Sequence, residues 1–383
     1  MNFFQVLKAE AKTIFTDVAL VLTVIGGVIL YAFLYPQPYL SAVTSELSIS
    51  IVDLDQSALS KKLRFDLDAT SQLHVIQEDS SASKAEKALQ RGKIMGFIVI
   101  PTNFNRDILL HKRPTIYIGA DASYFLVYGG IVESALQTIL TLGEKIKIKQ
   151  HLIREGILSE SIKKAHSFSL SSQSMFNPQN SYLQYVVPAV FVLILQQTML
   201  IGMGIAGGGE NENRRKNHLP YYHKTRLIER ILARVMIFVS IYFAHTLFYF
   251  GYMFDFYNIS HIANVFNLLN FTFAFLFATA SLGMFFGSLL STREMATPII
   301  LFTSLPLIFS AGFVWPLESL PLSVQMLSIF FPSTPAIQGF LHLNQMGAAM
   351  TDVTVQYSLL WLQAALYLTL SFVVLKTKKY ASS

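Results

Sequence analysis

Asp53 and Asp55 stand one residue apart at the end of an apolar run, in "LSISIVDLDQSALSKKL" from Leu47 to Leu63, and Ser57 follows. Two carboxylates delivered by a buried strand can do phosphoryl-transfer chemistry. One attacks phosphorus, and the other helps hold magnesium against the phosphate oxygens. A second echo, "DLDAT", runs from Asp66 to Thr70. Such a site also needs a lysine and a later acidic pair, and no later pair of the GDxxxD or DD kind follows. The second echo comes after the charged "SKKLRF", which is no buried strand. The preferred reading is structural: a carboxylate closes a strand, and Asp55 or Ser57 caps a helix beginning near Ala58.

The Asp53-x-Asp55 spacing resembles the opening of hydrolases of the haloacid dehalogenase type, but nothing downstream completes that pattern. No G-x-x-x-x-G-K-[ST] occurs, and "GGGENENRRK" from Gly207 lacks both the Lys-Ser/Thr and a preceding buried strand. The chain is therefore not expected to hydrolyse ATP itself or to hold a cofactor. His218 and His223 flank "LPYY" at a spacing that does not fit two metal ligands on one helical face, so a surface loop is preferred.

The elements that position these residues follow from composition. Of 383 residues 52% are hydrophobic and 14% charged, and the mean hydropathy is +0.46. One soluble core could not hide so much Phe, Leu and Ile, which points to a membrane protein. The absence of cysteine excludes a disulfide framework and a thiolate metal site. A net charge of +6 then reflects where basic residues sit relative to a bilayer, not nucleic-acid binding.

Six stretches approach the ~20 apolar residues that a hydrocarbon core requires: Val18–Tyr35, Leu183–Ala206, Ile231–Phe254, Val265–Leu290, Pro298–Trp315 and Tyr357–Leu375. Lys8 and Lys12 precede the first. Arg214, Arg215, Lys216, Lys224, Arg226 and Arg230 lie between the second and third, Arg293 between the fourth and fifth, and Lys376, Lys378 and Lys379 after the sixth. The segments 255–263 and 316–356 have no Lys or Arg. This alternation predicts two cytoplasmic termini. The first span is expected to be an uncleaved anchor, since no small-x-small site follows it. Residues 1–16 read as an amphipathic surface helix with Phe3, Phe4, Leu7, Ala11, Ile14 and Phe15 on one face and Lys8, Glu10 and Lys12 opposite.

The expected organisation is an α-helical polytopic membrane protein of six transmembrane helices with an inserted periplasmic α/β domain. The surface helix (1–16) and first span (17–35) lead into that domain (36–182). A five-helix region (183–375) follows, with a cytoplasmic coupling loop at 207–230 and an outer re-entrant segment at 316–345, and then a tail (376–383). Within the α/β domain, strands are expected at Ser48–Val52, Leu73–Gln77, Ile94–Ile100 and Thr115–Gly119. Helices are expected at Ser83–Gln90 and from about Tyr124 to Ile157.

The span centres read as free of ionisable groups, with Arg234 and Asp255 near the ends of the third span, which argues against an ion-coupled carrier. Gln196, Gln197, Thr198 and Gln363 are the mid-membrane polar residues; interhelical packing is the preferred role and a substrate pathway the functional alternative. Gly283 with Gly287, and Gly202 with Ala206, would permit close helix contact.

These residues together resemble the permease subunit of bacterial ABC-2-type exporters, the group with a large periplasmic domain, over nearly the whole chain. The resemblance rests on "YPQPY", "IVDLDQSALSKKL", "IMGFIVIPTNFNRDI", "DASYFLVYGG", "YLQYVVPAVFVLILQQTML" and "FPSTPAIQGF". It implies a multi-pass protein of the bacterial inner membrane, paired with a second permease and with an ABC ATPase subunit that holds ATP and Mg. A periplasmic adaptor leading to an outer-membrane channel is a further implied partner, alongside membrane lipid; no nucleic acid is expected. Glu210 and Glu212 match the family's E-x-E, and Leu219-Pro220 its L-P ending, while "NRRKN" replaces the Gly-Thr. Glu210, Glu212, Arg214, Arg215, Leu219 and Pro220 are thus the implied ATPase-coupling residues. Gln196, Gln197, Thr198 and Phe313 are the candidate pathway, with a hydrophobic or amphipathic substrate. The alternative is a membrane-anchored sensor or scaffold whose external domain binds a ligand.

Overall fold

The computed structural model describes residues 2–40, 46–110, 112–121, 125–155, 176–177, 181–216 and 225–380. Two compact units result, one of Met1–Leu40 with Tyr182–Ser383 and one of Ser41–Ser181. The first unit opens with α1 (Phe3–Thr16). Asp17 takes an extended backbone, which ends α1, and its carboxylate accepts the Ala19 and Leu20 amides at 3.0 and 3.3 Å to cap α2 (Val18–Tyr39). A π-helical stretch, Leu22–Gly27, interrupts α2.

The second unit is built on β1 (Leu47–Asp53), α3 (Ala58–Asp68), β2 (Leu73–Glu78), α4 (Ala82–Gln90), β3 (Gly96–Ile100), α5 (Phe104–Leu109), β4 (Tyr117–Ala120) and α6 (Phe125–Glu155). The strand order is β2-β1-β3-β4. β1 runs parallel to both neighbours, with Leu47 opposite Leu73 and Ile49 opposite Gly96, and β4 closes the edge antiparallel to β3. Period-two side chains decide the layers. Ile49 and Ile51 pack with Leu63 and Leu67 of α3 and with Ile131 and Ala135 of α6, whereas Val52 and Phe97 meet Ala85 and Ala88 of α4.

The carboxylates that opened the sequence reading are consumed by this fold. Asp53 accepts the Asp55 and Gln56 amides at 3.0 and 2.9 Å and the Ser60 hydroxyl at 2.7 Å. Asp55 accepts the Asn105 amide at 3.1 Å. Ser57 caps α3 by accepting the Ser60 amide at 3.2 Å.

The first unit resumes with α7 (Tyr182–Arg215), α8 (Leu227–Phe256), α9 (Val265–Leu289), α10 (Ala296–Ser310), α11 (Leu322–Ile329), α12 (Ser333–Asn344) and α13 (Met350–Lys378). Among the described residues five helices are long and apolar enough to cross a membrane: α2, α7, α8, α9 and α13. The expected fifth span, Pro298–Trp315, is helical only within α10; its 15 residues rise about 22 Å, short of the ~30 Å core. Gly312, at a φ of +85°, bends the chain just beyond it. The segment expected to be re-entrant contains α11 and α12, separate short helices.

Helix α7 is the hub: 94% of its most apolar window is buried, and α2, α8, α9, α10 and α12 all pack against it. Its approach to α9 is set by Gly283 and Gly287, as the sequence suggested, and by Gly207, which it did not; Gly202 instead faces Val24 of α2 and Phe238 of α8. A Cβ on Gly207 would lie 2.5 Å from the Gly287 carbonyl oxygen, and one on Gly287 would lie 2.6 Å from that of Met203.

Candidate functional site at the charged end of the bundle

The segment 207–230, read as a coupling loop, is helical at both ends. Helix α7 continues to Arg215, and α8 begins at Leu227. At 1.5 Å per residue the 34 residues of α7 span about 51 Å, roughly 20 Å more than a hydrocarbon core. Glu210, Glu212, Arg214 and Arg215 therefore occupy its last turns. Leu219 and Pro220, with His218 and His223, lie outside the described residues.

Glu210 does not face water. It accepts hydrogen bonds from Arg230 and, through both oxygens, from Arg234, where Nη1 lies 3.0 Å away. Arg234 also forks onto Glu10, with Nε to Oε2 at 3.1 Å and Nη2 to Oε1 at 2.8 Å. Glu10, Arg234 and Arg230 are 1%, 2% and 4% exposed. Two carboxylates and two guanidiniums thus neutralise one another out of water, which is what makes such burial tolerable. The bidentate fork onto a planar carboxylate is specific to arginine.

The network revises the reading of α1. Glu10 was assigned to the face opposite the aromatic residues, yet it lies on the buried Val6–Glu10–Ile14 stripe, while Phe4 and Phe15 point outward. One helical turn separates each stripe member from the next, so the i, i+4 geometry was available in the sequence. Its buried partner on α8 was not.

A second set of contacts closes the C-terminal end of α9. The Asn211 amide donates to the carbonyls of Gly287, Ser288 and Leu290 at 3.4, 3.2 and 2.7 Å. Arg215 donates to the Ser291 carbonyl, and Lys378 donates to that of Ser288 at 2.5 Å. These donors satisfy carbonyls that a helix end leaves without partners. Arg293 pairs with both oxygens of Asp17 at 2.9 Å. Glu212 pairs with Lys216 at 2.7 Å across one exposed helical turn. The charged end therefore ties together α1, α2, α7, α8, α9 and α13.

The four pathway candidates are packed within the bundle. Gln196 accepts the Ser333 amide at 2.6 Å and donates to its hydroxyl at 2.9 Å, fastening α12 to α7. Thr198 donates to the Ile194 carbonyl of its own helix at 2.7 Å. Phe313 is buried, and its carbonyl accepts the Tyr185 hydroxyl. Gln197 is also buried, with both side-chain polar atoms lacking a hydrogen-bond partner among the described residues.

Sequence reasoning missed three residues of the charged network, Glu10, Arg230 and Arg234, as site residues. Arg230 and Arg234, one turn apart at the start of an apolar run, were the available signal. The reading that no ionisable group lies near a span centre is wrong at His245, in the middle of the third span. This side chain is buried and packs edge-on to Tyr242 at 5.4 Å. The next turns of α8 hold a second π-helical stretch, Phe248–Met253, and Tyr249 donates to the Val28 carbonyl of α2 at 2.6 Å.

Among the described residues no group of His, Asp and Glu is arranged to hold a metal ion. The features that stand out are mechanical: a buried hub helix, glycine-tight crossings and a charge-locked end. A comparison with curated proteins finds no match. The family model described as ABC-2 family transporter protein matches residues 18–373, nearly the whole membrane unit and all of the inserted one. A multi-pass chain with this hub and this coverage belongs to the ABC-2 transporter family, as a membrane permease of an ABC transporter.

Proposed function

We propose that the chain is the transmembrane subunit of an ATP-driven exporter in a bacterial inner membrane. Helix α10 counts as a sixth, short span, both termini are cytoplasmic, and the Ser41–Ser181 unit is the periplasmic insertion. The chain itself hydrolyses nothing and holds no cofactor; ATP and Mg belong to a partner ATPase under the charged end. A second permease completes the translocation unit, and the periplasmic unit is the docking point for an adaptor toward an outer-membrane channel. The substrate is hydrophobic or amphipathic, in keeping with the apolar bundle.

The observation that supports this reading most is the course of α7. It is the most buried of the five long apolar helices, is about 20 Å longer in all than a membrane core, and carries Glu210, Glu212, Arg214 and Arg215 on its last turns. A push on Glu212 or on the following 217–224 segment would reach every helix packed on α7. The buried Glu210–Arg234–Glu10 lock would carry the same displacement into α1 and α8.

The test is co-purification of the tagged chain in mild detergent followed by an ATPase assay. An ATPase should accompany the intact chain and be lost or uncoupled when Glu212 is replaced by Ala or when 217–224 is replaced by a Gly/Ser linker. If no ATPase accompanies the intact chain and ligand binding maps to the Ser41–Ser181 unit, a sensor or scaffold replaces the permease reading.

A further inference from the structure

Basic side chains converge on the C-terminal end of α9. Arg214 and Arg215 from α7 and Lys378 from α13 gather there, close enough for both arginines to act electrostatically on the lysine. Among the described residues neither arginine has a carboxylate partner. The carbonyl end of a helix offers the equivalent of only about half a negative charge. Arg215 makes one bond to it, and Nη1 of Arg214 is buried with no hydrogen-bond partner among the described residues. A buried guanidinium nitrogen without an acceptor is costly, so an acceptor outside the described residues is called for.

The surroundings say what kind of acceptor. The cluster sits where α9 and α13, two helices long and apolar enough to cross a membrane, end. Leu289 on α9, next to the Ser288 carbonyl that Lys378 reaches, is 51% exposed. A free phosphate would use the cations and leave this apolar flank idle. A phospholipid uses both, with its phosphate on the arginines and its acyl chains along α9 and α13. Basic pockets between membrane helices suit anionic headgroups for this reason. We propose that Arg214, Arg215 and Lys378 form a binding site for the phosphate of an anionic phospholipid in the leaflet on the basic side. The site is independent of the exporter reading, because it needs neither a partner nor transport.

The experiment is native mass spectrometry of the full detergent-solubilised chain titrated with phosphatidylglycerol or phosphatidylcholine, with thermal melts in the same lipids and in inorganic phosphate. With each arginine contributing about fivefold, the intact chain should prefer phosphatidylglycerol by about 25-fold. Arg214→Gln/Arg215→Gln should abolish the preference. Lys378→Gln, on a different helix, should reduce it by less than either arginine's fivefold and guards against misfolding of the double variant. Arg214→Lys/Arg215→Lys should retain most of it. Equal stabilisation by inorganic phosphate would overturn the lipid assignment in favour of a free phosphoanion. No headgroup preference, or one that survives the double Gln substitution, would overturn the site. Loss of a co-purifying ATPase in the Arg variants without any lipid preference would reassign these arginines to the partner.

Discussion

Replacing Arg234 by Leu should damage the membrane unit more than any single change at an exposed ion pair, and removing Glu10 as well should undo part of the damage. Arg234 is 2% exposed and serves two carboxylates, Glu10 and Glu210. Without it Glu210 keeps Arg230, but Glu10, 1% exposed, has no other cation within the described network. Breaking a buried pair by removing one partner costs about 3–5 kcal/mol, because a charge is left without compensation. For a unit of this size that corresponds to a melting temperature lower by roughly 6–20 °C. Glu10→Leu/Arg234→Leu leaves Glu210 and Arg230 as a neutral pair and replaces two desolvated charges by apolar groups, which is often close to neutral. The double variant should therefore melt above Arg234→Leu, with a coupling energy of about 2 kcal/mol or more in the double-mutant cycle. The assay is thermal unfolding of the four purified chains in one detergent. If the two single effects simply add, the carboxylate and guanidinium do not compensate each other, and the argument for a charge lock between α1 and α8 fails.

Other positions give contrasting outcomes. Gly207→Val would put side-chain carbon about 2.5 Å from the Gly287 carbonyl oxygen, so it should destabilise the chain by at least about 1–3 kcal/mol, seen as a lowered melting temperature. Gly143→Ala, within α6 and with nothing inside 4 Å of the new Cβ, should instead stabilise by about 0.5–1 kcal/mol; a lower melting temperature would contradict the helix packing described. Asp53→Ala removes the acceptor of two amides and the Ser60 hydroxyl and should cost about 1–3 kcal/mol in a urea titration of the full chain; an unchanged midpoint would show that those bonds carry no weight. Asp17→Asn keeps a side-chain oxygen to cap α2 but loses the charge opposite Arg293. Both groups are more than a quarter exposed, so the loss should stay under about 1 kcal/mol and vanish in high salt.

What the sequence disclosed was whatever depends on neighbours along the chain. The four strands, the helix over Ala82–Gln90 and the long helix Phe125–Glu155 lie within a few residues of where periodicity put them, because alternation and a 3.6-residue repeat are local. The structural reading of Asp53 and Ser57 held for the same reason: strand end, turn and cap fall within eight residues. Failures occurred where a partner far along the chain decides. Glu10 looks solvated until Arg234, 224 positions away, is brought to it. Continuation of α7 to Arg215 departs from the reading of 207–230 as a loop. Three glycines normally punctuate a helix, but here the close crossing with α9 and the Thr292 carbonyl occupy the space that side chains on Gly207 and Gly208 would have taken. Phe4 and Phe15 drew the eye to the outward face of α1 because aromatic residues dominate any hydrophobicity count, whereas the buried face is defined by the smaller Val6 and Ile14 on either side of a charge. A charged residue flanked by apolar ones at i−4 and i+4 should therefore be read as a buried residue awaiting its opposite charge. Applied to α8, the same rule passes over Arg234, because Phe238 stands at i+4 but the charged Arg230 at i−4, so only the Glu10 half of the lock could have been nominated before any fold was known.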